Sequence, residues 1–218
     1  MAAKVKITID GREIEASPGD RLLWAALDSG IYIPHLCGIR EENHPPASCR
    51  LCFVEIAGMP NPVTSCTQPV TAGMVVYTRS SQVDRLVRRG FQLLLSAYHL
   101  RCGECPKNHT CEIRRIAKER GLKLRVKDLR PLDRDLPVDA SAGDFVYDPN
   151  RCVLCGQCAW ACRHRAGVGI LGFVRRGMER RIATFGEAPI LASGCTRCGE
   201  CVKACPAGGL TFQKEASG

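Results

Sequence analysis

Several features common in other classes of protein are missing from this chain of 218 residues. No apolar run approaches the roughly eighteen residues of a membrane-spanning helix, so no bilayer crossing is expected. Residues 1–10 alternate polar and apolar side chains, unlike the continuous hydrophobic core of a signal peptide. Neither a Walker loop nor a G-x-S-x-G motif occurs. These absences predict a soluble, cytoplasmic protein that itself binds neither nucleotide nor flavin.

Cysteine, by contrast, is abundant, with fifteen residues in four groups. The last two groups both follow C-x2-C-x2-C-x3-C, the bacterial ferredoxin pattern in which the fourth cysteine of each motif ligates the other cluster. Each set of four is predicted to hold one 4Fe-4S cluster. The third site is Cys152, Cys155, Cys158 and Cys205; the fourth site is Cys162, Cys195, Cys198 and Cys201.

The N-terminal segment has the pattern of a hairpin followed by a helix. Residues 5–9 alternate with period two and lead into Asp10-Gly11, a strong type I′ turn signal, with a second strand expected over 13–16. Asp20 is the expected N-cap of a helix over 21–29. Hairpin, helix and then a cysteine loop is the order of a β-grasp ferredoxin.

That loop contains the first site, which is predicted to hold a 2Fe-2S cluster. Its members are Cys37, Cys49, Cys52 and Cys66. The plant-type pattern begins C-x4-C-x2-C, whereas the first gap here is eleven residues long. Cysteine pairs of this kind leave structural zinc open as an alternative. The preceding hairpin and helix favour the 2Fe-2S cluster.

The second site follows the longest helical pattern, residues 81–97. Its cysteines are Cys102, Cys105 and Cys111. His99 is predicted to complete a mixed His/Cys3 set for a third 4Fe-4S cluster. The alternative is that His99 is an ordinary histidine at a helix end, favoured there by the helix dipole. His109 is a poorer candidate because it lies inside the loop between Cys105 and Cys111.

The remaining segments supply a linker and an insertion. Residues 120–147 are expected to form a short strand, from the alternation over 122–127, and a crossing linker. The motif CVLCGQCAWAC recurs forty-three residues later as CTRCGECVKAC, which indicates a duplicated cluster-binding half with residues 163–194 inserted between the copies. The formal G-x-G-x-x-G at 167–172 is discounted because a dinucleotide fingerprint follows a strand and opens a helix.

Zinc binding and disulfide formation explain the cysteines less well than iron–sulfur clusters do, and nucleic-acid binding explains the positive charge poorly. A tetrahedral zinc site needs two cysteine pairs, so a third and fourth cysteine at regular offsets would be redundant in the last two motifs. An odd cysteine count cannot pair completely, and a reducing cytosol fits free thiols. The formal charge of +9 includes a basic cluster at 175–181, but aromatic and basic residues are not interleaved as nucleic-acid binding would require. Anionic clusters would also offset that charge.

The expected architecture is α+β with four segments. Residues 1–79 are predicted to form a β-grasp 2Fe-2S ferredoxin-like domain and residues 80–119 a small helical His/Cys3 cluster domain. Residues 120–147 are the linker, and residues 148–218 a double 4Fe-4S domain resembling bacterial ferredoxin.

The order of these motifs resembles an iron–sulfur electron-input region shared by several families. They include the large iron–sulfur subunit of respiratory complex I, the N-terminal region of iron-only hydrogenases and of NAD-dependent formate dehydrogenases, and the diaphorase small subunit of NAD-linked nickel–iron hydrogenases. The resemblance covers essentially the whole chain, from the hairpin to Cys205, and includes DPNRCVLCGQC and GVGILGF. In one respect the chain departs from the family pattern: the family histidine stands four positions before its first cysteine, where this chain has Tyr98, and His99 stands three before it. Either a local shift of one residue brings His99 to iron, or this cluster has different ligands, or it is missing.

The resemblance implies an electron-transfer subunit of a soluble, anaerobic NAD(P)-linked complex with one 2Fe-2S and three 4Fe-4S clusters. Its implied partners are a flavin- and NAD(P)-binding subunit, a separate catalytic subunit (hydrogenase, formate dehydrogenase, a bifurcating or another reductase) and ferredoxin. The alternative function is a self-contained reductase with a substrate-accessible cluster. Full ligation of four clusters leaves no spare cysteine for such a site and favours electron transfer.

Overall fold

The protein is described by a computed structural model, which covers residues 3–125, 132 and 134–213. The chain divides into two compact units, residues 1–93 (the N-terminal unit) and residues 94–218 (the C-terminal unit). This division is coarser than the four segments expected from the sequence. Each unit has its own buried apolar cluster.

The N-terminal unit is built on a mixed five-stranded sheet in the order β2-β1-β5-β3-β4. The strands are β1 (Val5–Ile9), β2 (Arg12–Ala16), β3 (Phe53–Ile56), β4 (Val63–Thr64) and β5 (Val75–Tyr77). β1 pairs with β5 in parallel, and the other pairings are antiparallel. The inward side chains of β1, including Ile7 and Ile9, form the core with the first helix.

The β1–β2 hairpin confirms the turn predicted from Asp10-Gly11. Both residues have positive φ, 50° and 80°, as a type I′ turn requires, and Ile9 pairs with Arg12 directly across it. The Asp10 carboxylate also accepts hydrogen bonds from the backbone N–H of Thr78 at 2.8 Å and from its hydroxyl at 2.6 Å. The turn is therefore anchored to the end of β5.

The first helix, α1 (Leu22–Asp28), begins one residue later than predicted. Arg21 is its N-cap, with extended backbone, and Asp20 does not cap it. The reason is tertiary: Arg21 forms a β-bridge with Pro69, and its guanidinium donates to the carbonyl of Thr67. These contacts hold residue 21 outside the helix.

The long amphipathic helix predicted after the first site is confirmed as α2 (Ser81–Ser96). The Ser80 hydroxyl caps its start by accepting a hydrogen bond from the Val83 N–H at 3.1 Å. Val83, Val87 and Phe91 are buried at offsets of three and four. The predicted apolar face is therefore the face that packs.

Among its described residues, the C-terminal unit contains three α-helices and two separate two-stranded ribbons. The helices are α3 (Glu112–Arg120), α4 (Gln157–His164) and α5 (Glu200–Ala204). The strands are β6 (Phe145–Tyr147), β7 (Leu171–Val174), β8 (Arg181–Thr184) and β9 (Leu210–Phe212). β6 pairs with β9 and β7 with β8, both antiparallel. The β7–β8 hairpin is the insertion between the two halves of the repeat.

Two predictions about loops have different outcomes. Gly172 lies inside β7, so the formal G-x-G-x-x-G ends in a strand rather than opening a helix, and discounting it is confirmed. The short strand expected over 122–127 is wrong for residues 122–125, and the rest lies outside the described residues. Gly121 ends α3 in a left-handed conformation, and the Leu122 N–H bonds back to the Ala117 carbonyl at 2.8 Å, so the backbone turns into the helix end instead of extending.

Within the described residues, no helix is both long enough and apolar enough to span a bilayer.

Gly90 gives a test of how α2 packs in the N-terminal unit. A methyl group there would stand 2.7 Å from the backbone carbonyl oxygen of Arg50, in the loop between Cys49 and Cys52. Alanine ordinarily stabilises a helix relative to glycine, but this clash with backbone reverses the effect, so Gly90→Ala should lower the free energy of unfolding by about 1–3 kcal/mol. Thermal unfolding measures the change. Arg88→Ala, on the exposed face of the same helix, is the control, and an unchanged Gly90→Ala melting temperature would contradict the packing.

Candidate iron–sulfur cluster sites

The first site brings its four predicted cysteines together in the core of the N-terminal unit. All four are at most 6% exposed. The thiols of Cys37 and Cys49 are hydrogen-bonded to each other, as are those of Cys52 and Cys66. Cys66 lies within electrostatic range of both members of the other pair. Two adjacent sulfur pairs suit a cluster with two irons and four cysteine ligands.

Hydrogen bonds within these pairs set the proton affinity of each thiol. The Cys49 thiol and backbone N–H groups donate to Cys37 and lower its pKa to about 5, and the Cys49 N–H lies 3.4 Å from the sulfur. The Cys52 thiol likewise lowers the pKa of Cys66, while donation to Cys66 and burial raise the pKa of Cys52. Within each pair the two thiols therefore differ in proton affinity, and iron would have to displace any proton that remains for both sulfurs to ligate.

The long loop between Cys37 and Cys49 is fastened to α1 by arginines. Arg40 forms a bidentate ion pair with Asp28, at 2.6 and 2.8 Å, and its guanidinium lies 4.9 Å from the centre of the Trp24 ring. Arg21 donates to the Asn43 carbonyl at 2.7 Å. These contacts explain how an eleven-residue gap can replace the four-residue gap of the plant-type pattern.

The third and fourth sites each line one cavity in the C-terminal unit. The cysteines of the third site share their cavity with Tyr147, Ile182 and Leu210. Those of the fourth site share theirs with Phe145, Leu171 and Ile190. Each cavity thus takes three cysteines from one motif and one from the other, as the motif pattern predicts. The structure assembles both predicted sets of four.

The short helices produce this exchange. Cys158 and Cys162 stand one turn apart on α4, yet they line different cavities. On the other half of the repeat, Cys201 lies in α5 and lines the fourth cavity, while Cys205, the C-cap, lines the third. One helical turn of about 6 Å therefore separates neighbouring ligands of the two sites.

The repeated cluster loops have the same backbone geometry in both halves. Leu154 and Arg197 adopt left-handed backbone with φ of 55° and 56°, which non-glycine residues seldom do. Their N–H groups point at the sulfurs of Cys152 and Cys195, each at 3.4 Å. N–H groups aimed at ligand sulfurs are what a thiolate-bound cluster needs, because they stabilise negative charge on sulfur.

Aromatic rings pack against both of these loops. A methyl group at Gly156 would lie 3.2 Å from the Phe173 ring, and one at Gly199 would lie 3.1 Å from the Phe212 ring. Both glycines have positive φ. The two rings therefore contact equivalent glycines in the loops of the third and fourth sites, and both rings remain partly exposed.

The second site contains its three cysteines and two further candidate ligands. Cys102, Cys105 and Cys111 line one cavity together with Tyr98 and His99. Cys102 lies in a 3₁₀ turn and Cys111 is the N-cap of α3.

Tyr98, Tyr147 and Gly208 are site residues that the sequence analysis did not assign. Tyr147 lines the third cavity, and its hydroxyl donates to the Ile182 carbonyl at 2.6 Å. A methyl group at Gly208 would stand 2.8 Å from the Cys105 sulfur. In the sequence, the only sign that the backbone passes close to a cluster site here is the pair of consecutive glycines at 208 and 209, just after the last cysteine motif.

Burial raises the pKa of several thiols in the C-terminal unit. It raises the pKa of Cys152 to about 11 and that of Cys201 to about 12, and it raises the pKa of Cys111 and Cys158 as well. Nearby cysteines add to the effect at Cys158 and Cys201. Raised pKa values favour the protonated thiols, and iron would have to displace those protons in order to bind.

A single metal ion is the alternative occupant of these cysteine sites. Tetrahedral zinc with Zn–S bonds of about 2.3 Å brings its sulfurs to within about 3.8 Å of each other. Across residues 3–125, 132 and 134–213, no three His, Cys, Asp or Glu side chains are grouped to hold one metal ion. None of the fifteen cysteines, all of which lie among the described residues, is in a disulfide. Four cysteines line the cavity of the third site and four that of the fourth, which is the number of protein ligands that a 4Fe-4S core takes.

Comparison with known proteins agrees with both types of site. Residues 2–81 match the family described as a 2Fe-2S iron-sulfur cluster binding domain. Residues 145–166 and 188–211 match the 4Fe-4S binding domain family. Fold and sites therefore define an iron–sulfur protein that carries both kinds of cluster domain.

Similarity extends over nearly the whole chain. The chain is 36% identical to the NADP-reducing hydrogenase subunit HndD of Solidesulfovibrio fructosivorans, over 94% of this chain and 35% of that protein. It is 30% identical to the mitochondrial NADH-ubiquinone oxidoreductase 78 kDa subunit of Neurospora crassa over 98% of this chain and 28% of that protein. The chain thus spans about a third of the length of these curated relatives.

A solved structure matches nearly the full length of both chains, this one and the one to which it is compared. In the crystal structure of an NAD+-reducing [NiFe]-hydrogenase in the H2-reduced state, one chain superposes with a TM-score of 0.85 at 32% identity, covering 99% of this chain and 89% of that one. The chain belongs to the family of iron–sulfur electron-input subunits and regions shared by complex I and NAD(P)-linked hydrogenases.

Gly208 gives a test of the second site. In Gly208→Ala the new methyl group would overlap the Cys105 sulfur, so the variant should lose the cluster at Cys102, Cys105 and Cys111, about four irons per chain, and keep the others. Iron and sulfide analysis with electron paramagnetic resonance measures this loss. Gly103→Ala is the matched control, because Gly103 lies between two of the cysteines and a methyl group there meets nothing within 4 Å. Equal iron content in both variants would contradict the close approach.

Proposed function

We propose that this chain is an electron-transfer subunit of a multi-subunit NAD(P)-linked oxidoreductase. It relays electrons between a flavin- and NAD(P)-binding subunit and a separate catalytic subunit, with ferredoxin as a further partner. The observation that carries the proposal is the serial contact of three cysteine sites in the C-terminal unit.

The second and third sites are separated by one peptide unit. A methyl group at Gly208 would stand 2.8 Å from the Cys105 sulfur, and one at Gly209 would stand 3.3 Å from the Cys152 Cα. Consecutive Cα atoms are only about 3.8 Å apart. Arg151 lines both cavities.

The third and fourth sites are joined by one turn of α4, through Cys158 and Cys162. The second, third and fourth sites therefore follow one another without an intervening layer of the fold. A catalytic pocket does not need such a series, but a relay does.

The proposed ligands use every cysteine in the chain. A 2Fe-2S cluster is held by the first site, and 4Fe-4S clusters by the second, third and fourth sites. The N-terminal unit is then a β-grasp ferredoxin-like domain, and the C-terminal unit combines a small helical cluster segment with a double ferredoxin-like fold. No cysteine is left for an iron site open to substrate, so the self-contained reductase loses support.

Bound clusters would supply one-electron transfer without binding a substrate. The residues of this chain fix where that happens and at what potential. Cysteine sulfurs hold the iron, and backbone N–H groups, including that of Leu210 at 3.4 Å from the Cys205 sulfur, favour the more negative, reduced state. Phe145, Ile182 and Leu210 are fully buried beside the sites and exclude water.

Iron content and reducibility test the relay. Anaerobically purified protein should contain about fourteen irons per chain, two from one cluster and twelve from the other three. NADH should reduce these clusters only when the flavin-containing partner, co-purified from the native host, is present. Reduction of the isolated chain by NADH, or colourless protein with zinc and no sulfide, would contradict the proposal.

Breaking the series at its middle gives a sharper test. Cys155→Ala removes a ligand of the third site alone and should lower the iron content from about fourteen to about ten. In the co-purified complex, NADH should then reduce only the clusters on one side of the gap, and transfer to the catalytic subunit should fall to a small fraction of the original rate. Rapid-freeze electron paramagnetic resonance follows each cluster.

The control for that variant is Arg163→Ala, an exposed position on α4. If the Cys155→Ala complex transfers electrons as fast as the control while lacking the third cluster, the relay does not run through this series.

A further inference from the structure

The second site has three cysteines, although a 4Fe-4S cluster takes four protein ligands when fully coordinated. Tyr98 and His99, consecutive in the chain, both reach the cavity of Cys102, Cys105 and Cys111. The identity of the fourth ligand depends on which of these two side chains presents a donor atom to the sulfurs. The question rests on the proposal that this site holds such a cluster.

The Tyr98 side chain is buried against the site, with 8% of its surface exposed. Its hydroxyl oxygen accepts a hydrogen bond from the Gly208 N–H at 3.4 Å. A buried phenol fixed at its oxygen is held in one orientation.

That oxygen lies next to the cysteine sulfurs. A methyl group at Gly208 would be 2.8 Å from the Cys105 sulfur and 3.3 Å from the Tyr98 oxygen, so these two atoms are at most about 6.1 Å apart, the sum of the two distances. Cys102, Cys105 and Cys111 line the same cavity as Tyr98. The tyrosine oxygen and the three sulfurs therefore surround one space.

His99 is held less tightly. It is only half-buried, and the hydrogen bond that anchors the residue is made by its backbone, whose N–H donates to the Asn150 carbonyl at 2.9 Å. It lines the cavity from the neighbouring position in the chain.

We propose that the oxygen of Tyr98, rather than a nitrogen of His99, is the fourth protein ligand at the second site. An iron–oxygen bond forms as the phenol O–H bond breaks, and the proton leaves to solvent during cluster assembly. No electron is exchanged in this step. An anionic phenolate replaces the neutral imidazole, so the potential of this cluster is lower than histidine ligation would make it.

The test uses the full-length, anaerobically purified protein and compares Tyr98→Phe with His99→Ala. Tyr98→Phe keeps the buried ring and removes only the oxygen. It should convert the second-site cluster to a three-iron form, with loss of about one iron per chain. His99→Ala should leave iron content and spectra unchanged. Mössbauer and electron paramagnetic resonance spectra report both, with the other three clusters as internal references for folding.

Two spectroscopic signatures identify the donor atom directly. In the unmodified protein, resonance Raman spectra should show iron-bound phenolate vibrations that vanish in Tyr98→Phe. Pulsed resonance spectra of the second-site cluster should show no strongly coupled nitrogen. Tyr98→His should introduce that nitrogen coupling and raise the potential of this cluster alone.

Three results would overturn the assignment. The first is a nitrogen coupling in the unmodified protein that disappears in His99→Ala. The second is a complete four-iron cluster with unchanged spectra in Tyr98→Phe. The third is a second site without iron in every variant; this would also remove that cluster from the proposed relay, whereas the first two results leave the relay intact.

Discussion

The C-terminal unit depends on the exchange of one cysteine between its two halves. Cys162 lines the fourth site together with the first three cysteines of the second motif. Cys205 lines the third site together with the first three cysteines of the first motif. Neither half can close a site without the other, so the two short helices and the β6–β9 ribbon must assemble together. A fold with such short elements buries little apolar surface, and iron binding is therefore expected to supply much of its stability.

Burial has a cost that this arrangement must offset. Sulfurs placed among apolar side chains hold their protons more tightly, so the same packing that shields a cluster also opposes the ligand form of the thiol. Backbone dipoles offset part of this cost, because the N–H groups of Leu154, Arg197 and Leu210 point at cysteine sulfurs and stabilise their negative charge. These groups do not change their charge, and they favour thiolate without adding a titrating partner.

Sequence patterns of short range were reliable because their physical causes are local. The Asp10-Gly11 turn, the apolar face of α2 and the cysteine triplets follow from residues within one or two turns of each other. The predicted start of α1 was wrong by one residue because Arg21 forms a β-bridge with Pro69, nearly fifty positions away in the chain. The strand expected from residue 122 failed because the left-handed end of α3 redirects the backbone.

The sequence by itself determined where the sulfur is, which spacings suit clusters of two and four irons, and which family the chain resembles. The tertiary structure alone brought Tyr98 and Gly208 to the second site, although 110 positions separate them in the chain. It also decided that the glycine pair at 208 and 209 lies between two sites. The reason is geometric. The spacing of the cysteines along the chain limits which ligands one loop can offer, whereas the residues from distant segments that contact those ligands depend on how the whole unit packs.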